Sequence, residues 1–567
     1  VTVMPDITVG EYLLRRLREL DIEHVFGVPG DYNLGFLDQV LDFPGLDWVG
    51  TCNELDAGYA ADGYSRLRGA AAVVTTFGVG ELSAVNAVAG SYAESVPVVA
   101  VTGMPATAVA AARTPVHHTL MDGEYDHFGR MFAEVTVARA TLTTENAPAE
   151  IDRVLRALRR HRKPVHLNLP TDVVLARVPA PAAPLPAADT PTDPDLLRAF
   201  RSAAAHLLAD ARTVSVLAGH EADRHGLRGP LADLLDAAPV RAAVYSTGKG
   251  LVDEHTAAFA GVYTGEFSTK PARIAVEDTD CLILAGAPVT DTVTGGFSHH
   301  FPAGRTIDLR PHRATVGRAE FPGIIMADAL RALTGLIREM HLPEPPGYGQ
   351  PVNSSPQDET AQPTRGTATQ TLTQDQLWAA VSDFLPKSSV LVAEQGTAFF
   401  GAQELPLPED TRFIGQPMWG SIGYTLPATL GTQLAAPNRR SVLVIGDGSL
   451  QLTAQELGTL TRHSLSPVII IINNDGYTVE RAIHGATASY NDIAPWNYTA
   501  LPAAFGGDDR CVTRRVTTPA ELTDALSLAT ATPDRLVLIE AVLPRNDAPE
   551  LLTALAGRFA EQNDYGA

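Results

Sequence analysis

Val442-Leu443-Val444-Ile445-Gly446-Asp447-Gly448-Ser449 carries an apolar strand straight into a glycine-flanked acid. Val468-Ile469-Ile470-Ile471-Ile472-Asn473-Asn474-Asp475-Gly476 does so a second time, with amides ahead of the acid. Both aliphatic runs are strand-sized and lack polar alternation, as expected of strands buried on both faces of a parallel sheet. Glycine lets the backbone approach an anion closely, and N–H groups at the start of the helical stretch around Gly448 and Ser449 are placed for phosphate. Asp447 offers a carboxylate and Asn474 an amide oxygen, hard ligands suited to Mg2+ shared with phosphate oxygens. If the two strands are neighbours, their loops meet at the carboxyl ends, where open α/β sheets bind ligands. Taken singly, Gly-Asp-Gly and Asn-Asp-Gly are ordinary turns; the information lies in their combination and spacing.

Short apolar strands alternate with helical stretches on either side of this segment, at 71–75, 98–102, 165–169, 214–217, 242–245, 281–285, 390–393 and 536–541, and such alternation implies parallel sheets covered on both faces. Near the N-terminus, Thr8 and Glu11 have the spacing of a capping box, followed by Val9, Leu13, Leu17 and Leu20 on one helical face. Two stretches break the pattern: a Pro- and Ala-rich one at 179–194, and a Pro-, Gly-, Gln-, Ser- and Thr-rich one at 343–373. Both read as connections. The chain of 567 residues exceeds one core. It divides into three α/β domains, each a mainly parallel sheet flanked by helices, at 1–180, 195–342 and 374–567, with 343–373 as linker.

A formal charge of −22 argues against nucleic acid and anionic membrane surfaces as partners. Cys52, Cys281 and Cys511 stand far apart and form no Cys-x-x-Cys pair. With no basic-then-apolar leader and no apolar run of membrane-spanning length, the expectation is a soluble, cytoplasmic protein.

The combination of Gly446-Asp447-Gly448 with Asn473-Asn474 resembles the fingerprint of thiamine-diphosphate enzymes, and other positions extend the likeness. Glu54, in Asn53-Glu54-Leu55-Asp56-Ala57, stands where that family places a glutamate against the aminopyrimidine ring of the cofactor. Asp31 in Gly30-Asp31-Tyr32-Asn33, the pair His117-His118, and Glu480 after the second loop match the 2-oxo acid decarboxylases similar to pyruvate decarboxylase. Taken alone, Asp31 reads as a turn residue or N-cap and the histidines as surface residues. The segments 75–84, 413–424 and 489–493 look like the indolepyruvate, phenylpyruvate and branched-chain members of that family.

The resemblance implies a thiamine-diphosphate-binding fold and specific roles. Glu54 would activate the cofactor, and Asp447, Asn474 and the Gly476 backbone would ligate Mg2+. Val79, Thr397, Gly420, Ile422, Gly448, Ser449, Asn474 and Gly476 would contact the cofactor, with Ile422 as the wedge that bends it. Asp31, His117, His118 and Glu480 would handle protons while a 2-oxo acid loses CO2 through a cofactor ylide and enamine, releasing an aldehyde. Gln395, Phe399, Phe400, Val479, Ile483, Leu555 and Phe559 would surround the substrate side chain, admitting a branched or aromatic group. Because the glutamate and the metal loops lie in different domains, the family pattern implies a homodimer as the minimum active unit, and a homotetramer is common among relatives. A thiamine-dependent carboligase would share the metal loops and Glu54, and a non-catalytic descendant would be expected to lose one of them. A nicotinamide enzyme lacks support, because Phe77-Gly78-Val79-Gly80 is no proper dinucleotide fingerprint.

Overall fold

The computed structural model describes residues 5–187, 190–345, 347–349, 370–507 and 509–563. Most of the longer connection expected at 343–373 therefore lies outside the described residues.

Three sheets carry the fold. The N-terminal sheet is wholly parallel, in the order Asp47–Gly50, His24–Gly27, Ala71–Thr76, Val98–Met104, Val165–Pro170, Arg139–Thr141. The C-terminal sheet is also parallel, in the order Arg412–Ile414, Val390–Ala393, Ser441–Gly446, Val468–Asn473, Leu536–Val542, Cys511–Val516. The central sheet has five parallel strands, from Phe259–Val262 to Thr306–Arg310, and ends in an antiparallel pair, Arg313–Val316 and Ala319–Pro322. Every residue of Ala71–Thr76, Val98–Met104 and Val165–Pro170 is buried, as strands covered on both faces require.

The decisive strands are neighbours. Ser441–Gly446 and Val468–Asn473 pair in parallel, with Val442 opposite Val468 and Gly446 opposite Ile472. Their loops consequently emerge side by side.

The N- and C-terminal domains are joined by two helices, Glu54–Arg68 and Thr425–Ala435. Small residues let their backbones touch: a Cβ on Gly63 would lie 2.3 Å from the Ala428 carbonyl oxygen, and one on Gly431 only 1.9 Å from that of Ala60. Tyr424 Oη donates to Asp62 Oδ1 at 2.6 Å, and the buried Arg66 pairs with the same carboxylate at 2.6 Å. Glu94, also buried, lies 3.8 Å from Arg66 and accepts the Met418 N–H at 2.9 Å.

Thr8 caps the first helix by accepting the Glu11 N–H at 3.0 Å, but only half of the expected capping box forms. The Glu11 carboxylate turns instead to Arg15 at 2.7 Å, because an i,i+4 cation on the same helix competes for it. The Pro- and Ala-rich stretch is more anchored than its composition suggests. Arg16 donates to the Ala183 carbonyl at 2.9 Å, the Leu185 N–H donates to Glu19 at 2.6 Å, and the Leu185 side chain is buried.

Candidate active site

At the carboxyl edge of the C-terminal sheet, four strand-to-helix loops enclose a cavity of about 180 Å³. Its wall includes Gln395 and Thr397, Gly420 and Ile422, Asp447 to Ser449, Asn474, Gly476, Val479 and Glu480. The Asp447 carboxylate is fixed by two backbone donors, Gly448 N–H at 2.8 Å and Gly476 N–H at 3.2 Å. Burial pushes its pKa up to about 6, since a desolvated carboxylate without a counter-ion resists ionisation.

These features fit a cation-bridged diphosphate. The buried acid has no ion-pair partner among the described residues, the buried Asn474 offers an amide oxygen beside it, and Gly448 keeps the wall open. A Cβ on Gly448 would stand 2.6 Å from the Tyr477 ring. Gly476 adopts φ +122°, and a Cβ there would meet the Asn491 carbonyl oxygen at 2.1 Å, so the turn admits only glycine.

Two residues that support this wall escaped the sequence reading. The buried carboxylate of Glu394 accepts the Gln395 N–H at 3.0 Å, the Thr425 N–H at 3.2 Å and the Thr425 hydroxyl at 2.7 Å. It thereby ties together the two loops that carry Thr397 and Ile422, while burial raises its pKa to about 7. Arg481, also buried, donates to the Asn474 carbonyl at 3.2 Å and the Asn491 carbonyl at 3.1 Å. A charged residue closing the apolar run 390–393 was the only sequence signal for Glu394. Nothing in the sequence distinguished Arg481 from a surface cation.

The remaining expected residues gather at the carboxyl edge of the N-terminal sheet. Glu54 opens its helix, behind Asn53, whose side chain accepts the Asp56 N–H at 2.8 Å. Val79 opens another helix and is 57% exposed. His117 Nε2 and Asp31 Oδ2 lie 2.7 Å apart, and the rings of His117 and His118 meet edge-on at 4.6 Å. Tyr32 stacks on His117 with its hydroxyl 3.3 Å from Nδ1. His118 has φ +65°, a costly conformation for a non-glycine residue, and its carbonyl is packed against Gly78, where a Cβ would approach to 2.0 Å.

Within one chain these two groups remain separate. The cavity wall contains neither Glu54, Asp31, His117 nor His118, whereas Glu480 belongs to it. Beside Glu54, Asp56 and Glu456 form a second unforeseen feature: both are buried, and each leaves one carboxylate oxygen without a hydrogen bond. Burial, and then the Glu456 carboxylate, push Asp56 well above the ordinary carboxylate range.

Of the residues expected to surround a substrate side chain, Gln395 and Val479 line the cavity. Phe400 and Leu555 pack in an adjoining apolar cluster with Leu551 and Leu552, against which Val479 and Phe559 rest. Ile483 is half-buried at the end of the helix that carries Glu480. Phe399 lies apart from that cluster. It is 1% exposed, belongs to the C-terminal core and meets the Phe413 ring at 5.7 Å. Its neighbour Phe400, also buried, packs instead against Leu551, Leu552 and Leu555, and the glycine at 415 makes room for the Phe399 ring, where a Cβ would stand 2.6 Å away.

Models of three thiamine pyrophosphate enzyme domains match the chain: the N-terminal TPP binding domain over residues 7–127, the central domain over 201–336, and the C-terminal TPP binding domain over 396–541. A Mycobacterium leprae protein named alpha-keto-acid decarboxylase is 47% identical over 556 residues, covering 98% of this chain and 96% of that protein. Proteins of the same name from Mycobacterium ulcerans and Mycobacterium tuberculosis H37Rv are also 47% identical, covering 98% of this chain and 97% and 98% of their own lengths. The chain belongs to the thiamine-diphosphate-dependent 2-oxo acid decarboxylases. The paired loops lie within the residues matched by the C-terminal TPP binding domain, and Glu54 within those matched by the N-terminal one. Among the described residues no helix is long and apolar enough to cross a membrane.

Proposed function

We propose that the protein converts a 2-oxo acid bearing an aromatic or branched side chain into the corresponding aldehyde and CO2, using thiamine diphosphate and Mg2+. The observation that carries this reading is the single cavity uniting Asp447, Asn474 and Gly476 with Gly420, Ile422 and Glu480. Asp447, the Asn474 amide and the Gly476 backbone would hold Mg2+, with Gly448 and Ser449 at the diphosphate. Gly420, Ile422, Thr397 and Val79 would position the organic part. When bound, the cofactor supplies a nucleophilic carbon and an electron sink for the leaving carboxylate.

The chain's own residues then act on protons and charge. Glu54 would hold the aminopyrimidine by a hydrogen bond. Glu480 stands at the cavity wall, where a second carboxylate is disfavoured by like charge. Net conversion of a 2-oxo acid anion to an aldehyde consumes one proton, and the Asp31–His117 pair with His118 is the group suited to deliver it. The cluster of Phe400, Leu555 and Phe559 behind Val479, with Ile483 and Gln395, leaves an apolar wall for a bulky side chain.

Because Glu54 and the Asp31–His117–His118 group do not reach the cavity of their own chain, a second copy completes each site, making a homodimer the minimum active unit. Exposed Val79, Trp419, Leu452 and Tyr490 are apolar surface available to that copy. The test is CO2 release across a panel of pyruvate, 4-methyl-2-oxopentanoate, phenylpyruvate and indolepyruvate, with aldehyde measured in parallel. Equimolar aldehyde and CO2 from the larger acids supports the reading. No turnover of any member by cofactor-loaded protein overturns it, and a coupled carbon–carbon product would make the enzyme a thiamine-dependent carboligase, a transferase.

A further inference from the structure

Asp31, His117 and His118 each present a ligand atom, and the three atoms lie within 4.8 Å of one another. The group combines two imidazoles with one carboxylate. That donor set is poorly matched to Mg2+, which takes oxygen ligands, and well matched to zinc and other borderline divalent cations. In a tetrahedral zinc site, ligand atoms are separated by about 3.3 Å, given metal–ligand distances of about 2.0–2.1 Å. His117 Nε2 and Asp31 Oδ2 are already 2.7 Å apart, so a small opening of this pair and an inward turn of His118 close a three-ligand shell.

The surroundings permit that rearrangement. The His117 and Asp31 side chains are 58% and 49% exposed and can rotate without disturbing the core. His118 is held from behind: its backbone is in the left-handed region, with its carbonyl packed on Gly78. Its Nδ1 is buried and has no hydrogen-bond partner among the described residues. An imidazole nitrogen in that condition gains a partner when the ring turns toward a cation, which reduces the cost of closing the shell. Tyr32, stacked on His117 with its hydroxyl 3.3 Å from Nδ1, is an outer partner of the kind that orients a metal-bound histidine.

We propose that Asp31, His117 and His118 form a reversible zinc-binding site, and that zinc bound there arrests the enzyme by replacing the proton the three side chains manage. On binding, His117 takes the tautomer with its hydrogen on Nδ1, beside the Tyr32 hydroxyl, and the cation occupies the place between Nε2 and Asp31. Three protein ligands leave the fourth position to water. The inhibitory consequence rests on the proposed role of these residues in proton delivery; the binding itself does not.

The experiment separates the two. Holoenzyme saturated with Mg2+ and thiamine diphosphate is titrated with Zn2+ against a chromogenic chelator, and CO2 release is followed in parallel. One Zn2+ per chain is expected at micromolar free metal, with activity falling on the order of tenfold or more and returning when a zinc-selective chelator is added. Asp31→Asn, His117→Gln and His118→Gln should each weaken that equivalent by on the order of tenfold or more, with unchanged far-UV circular dichroism as the control for folding. Glu480→Gln, which removes a carboxylate from the other domain, should retain it. Undiminished zinc binding in all three ligand variants would overturn the site. Zinc bound at the triad without loss of CO2 release would overturn the arrest while leaving the decarboxylase reading intact. Absence of CO2 release before zinc is added would instead count against that reading and leave the binding result standing.

Discussion

Replacing Asp447 by asparagine should make the cofactor-free protein more stable while abolishing its response to the cofactor. The Asp447 carboxyl is displaced by burial from an ordinary 3.8 to about 6, which corresponds to about 3 kcal/mol of disfavoured ionisation at pH 8. Asparagine carries no charge and escapes that penalty. It keeps one acceptor oxygen for the two N–H groups of Gly448 and Gly476, so losing one such bond takes back about 1 kcal/mol. The net gain at pH 8 is therefore about 2 kcal/mol, or a few degrees in the Tm of a domain of this size.

The pH dependence has a definite sign. With its folded value raised, the carboxyl binds its proton more tightly in the native chain, so its penalty is full above pH 6 and fades toward pH 4. The advantage of Asp447→Asn must shrink along the same path. Thermal melts at pH 8 and pH 5, with and without Mg2+ and thiamine diphosphate, measure all of this. Wild-type protein should gain stability from the cofactor, and the variant little. A variant less stable than wild type at pH 8 without cofactor, or an advantage equal at both pH values, would refute the reasoning.

Glu54→Gln should lower turnover at least about a hundredfold yet leave thiamine diphosphate affinity within about threefold, by fluorescence titration, because the metal loops are untouched. Gly431→Ala places a Cβ 1.9 Å from the Ala60 carbonyl oxygen and should cost at least about 3 kcal/mol in a urea titration. Gly557→Ala, in the helix Glu550–Gln562 with nothing within 4 Å of the new methyl, should instead stabilise by about 0.5–1 kcal/mol, so opposite signs are required of the two. Asp62→Asn strips the buried Arg66 of its partner at 2.6 Å and should cost about 3–5 kcal/mol; a loss below about 1 kcal/mol would show that Glu94 already neutralises Arg66.

The parts of the site that sequence disclosed are those whose chemistry is local. Asp447 and Asn474 sit at the ends of strands whose aliphatic runs announce a parallel sheet, and neighbouring strands in register do the rest. Glu54 is likewise tied to a helix start. The parts that stayed hidden depend on contacts distant along the chain. Glu394 reaches Thr425, Asp56 meets Glu456, and Arg481 turns inward to carbonyls although its neighbour Glu480 is exposed. Phe399 and Phe400 are adjacent and chemically equal, yet one enters the core while the other joins a cluster near the cavity. Only the position of the helix against the sheet decides between them.

The helix that begins at Glu54 touches the helix Thr425–Ala435 backbone to backbone, and the latter starts two residues beyond Gly423 in the loop that carries Ile422. No side chain lies between them at Gly63 and Gly431 to absorb a displacement. Tightly packed contacts transmit displacement, so a shift of the Glu54 end would be expected to carry the Gly420–Gly423 loop with it. If Glu54 serves another copy's cofactor, as proposed, this contact would pass any displacement of Glu54 on to the chain's own cavity.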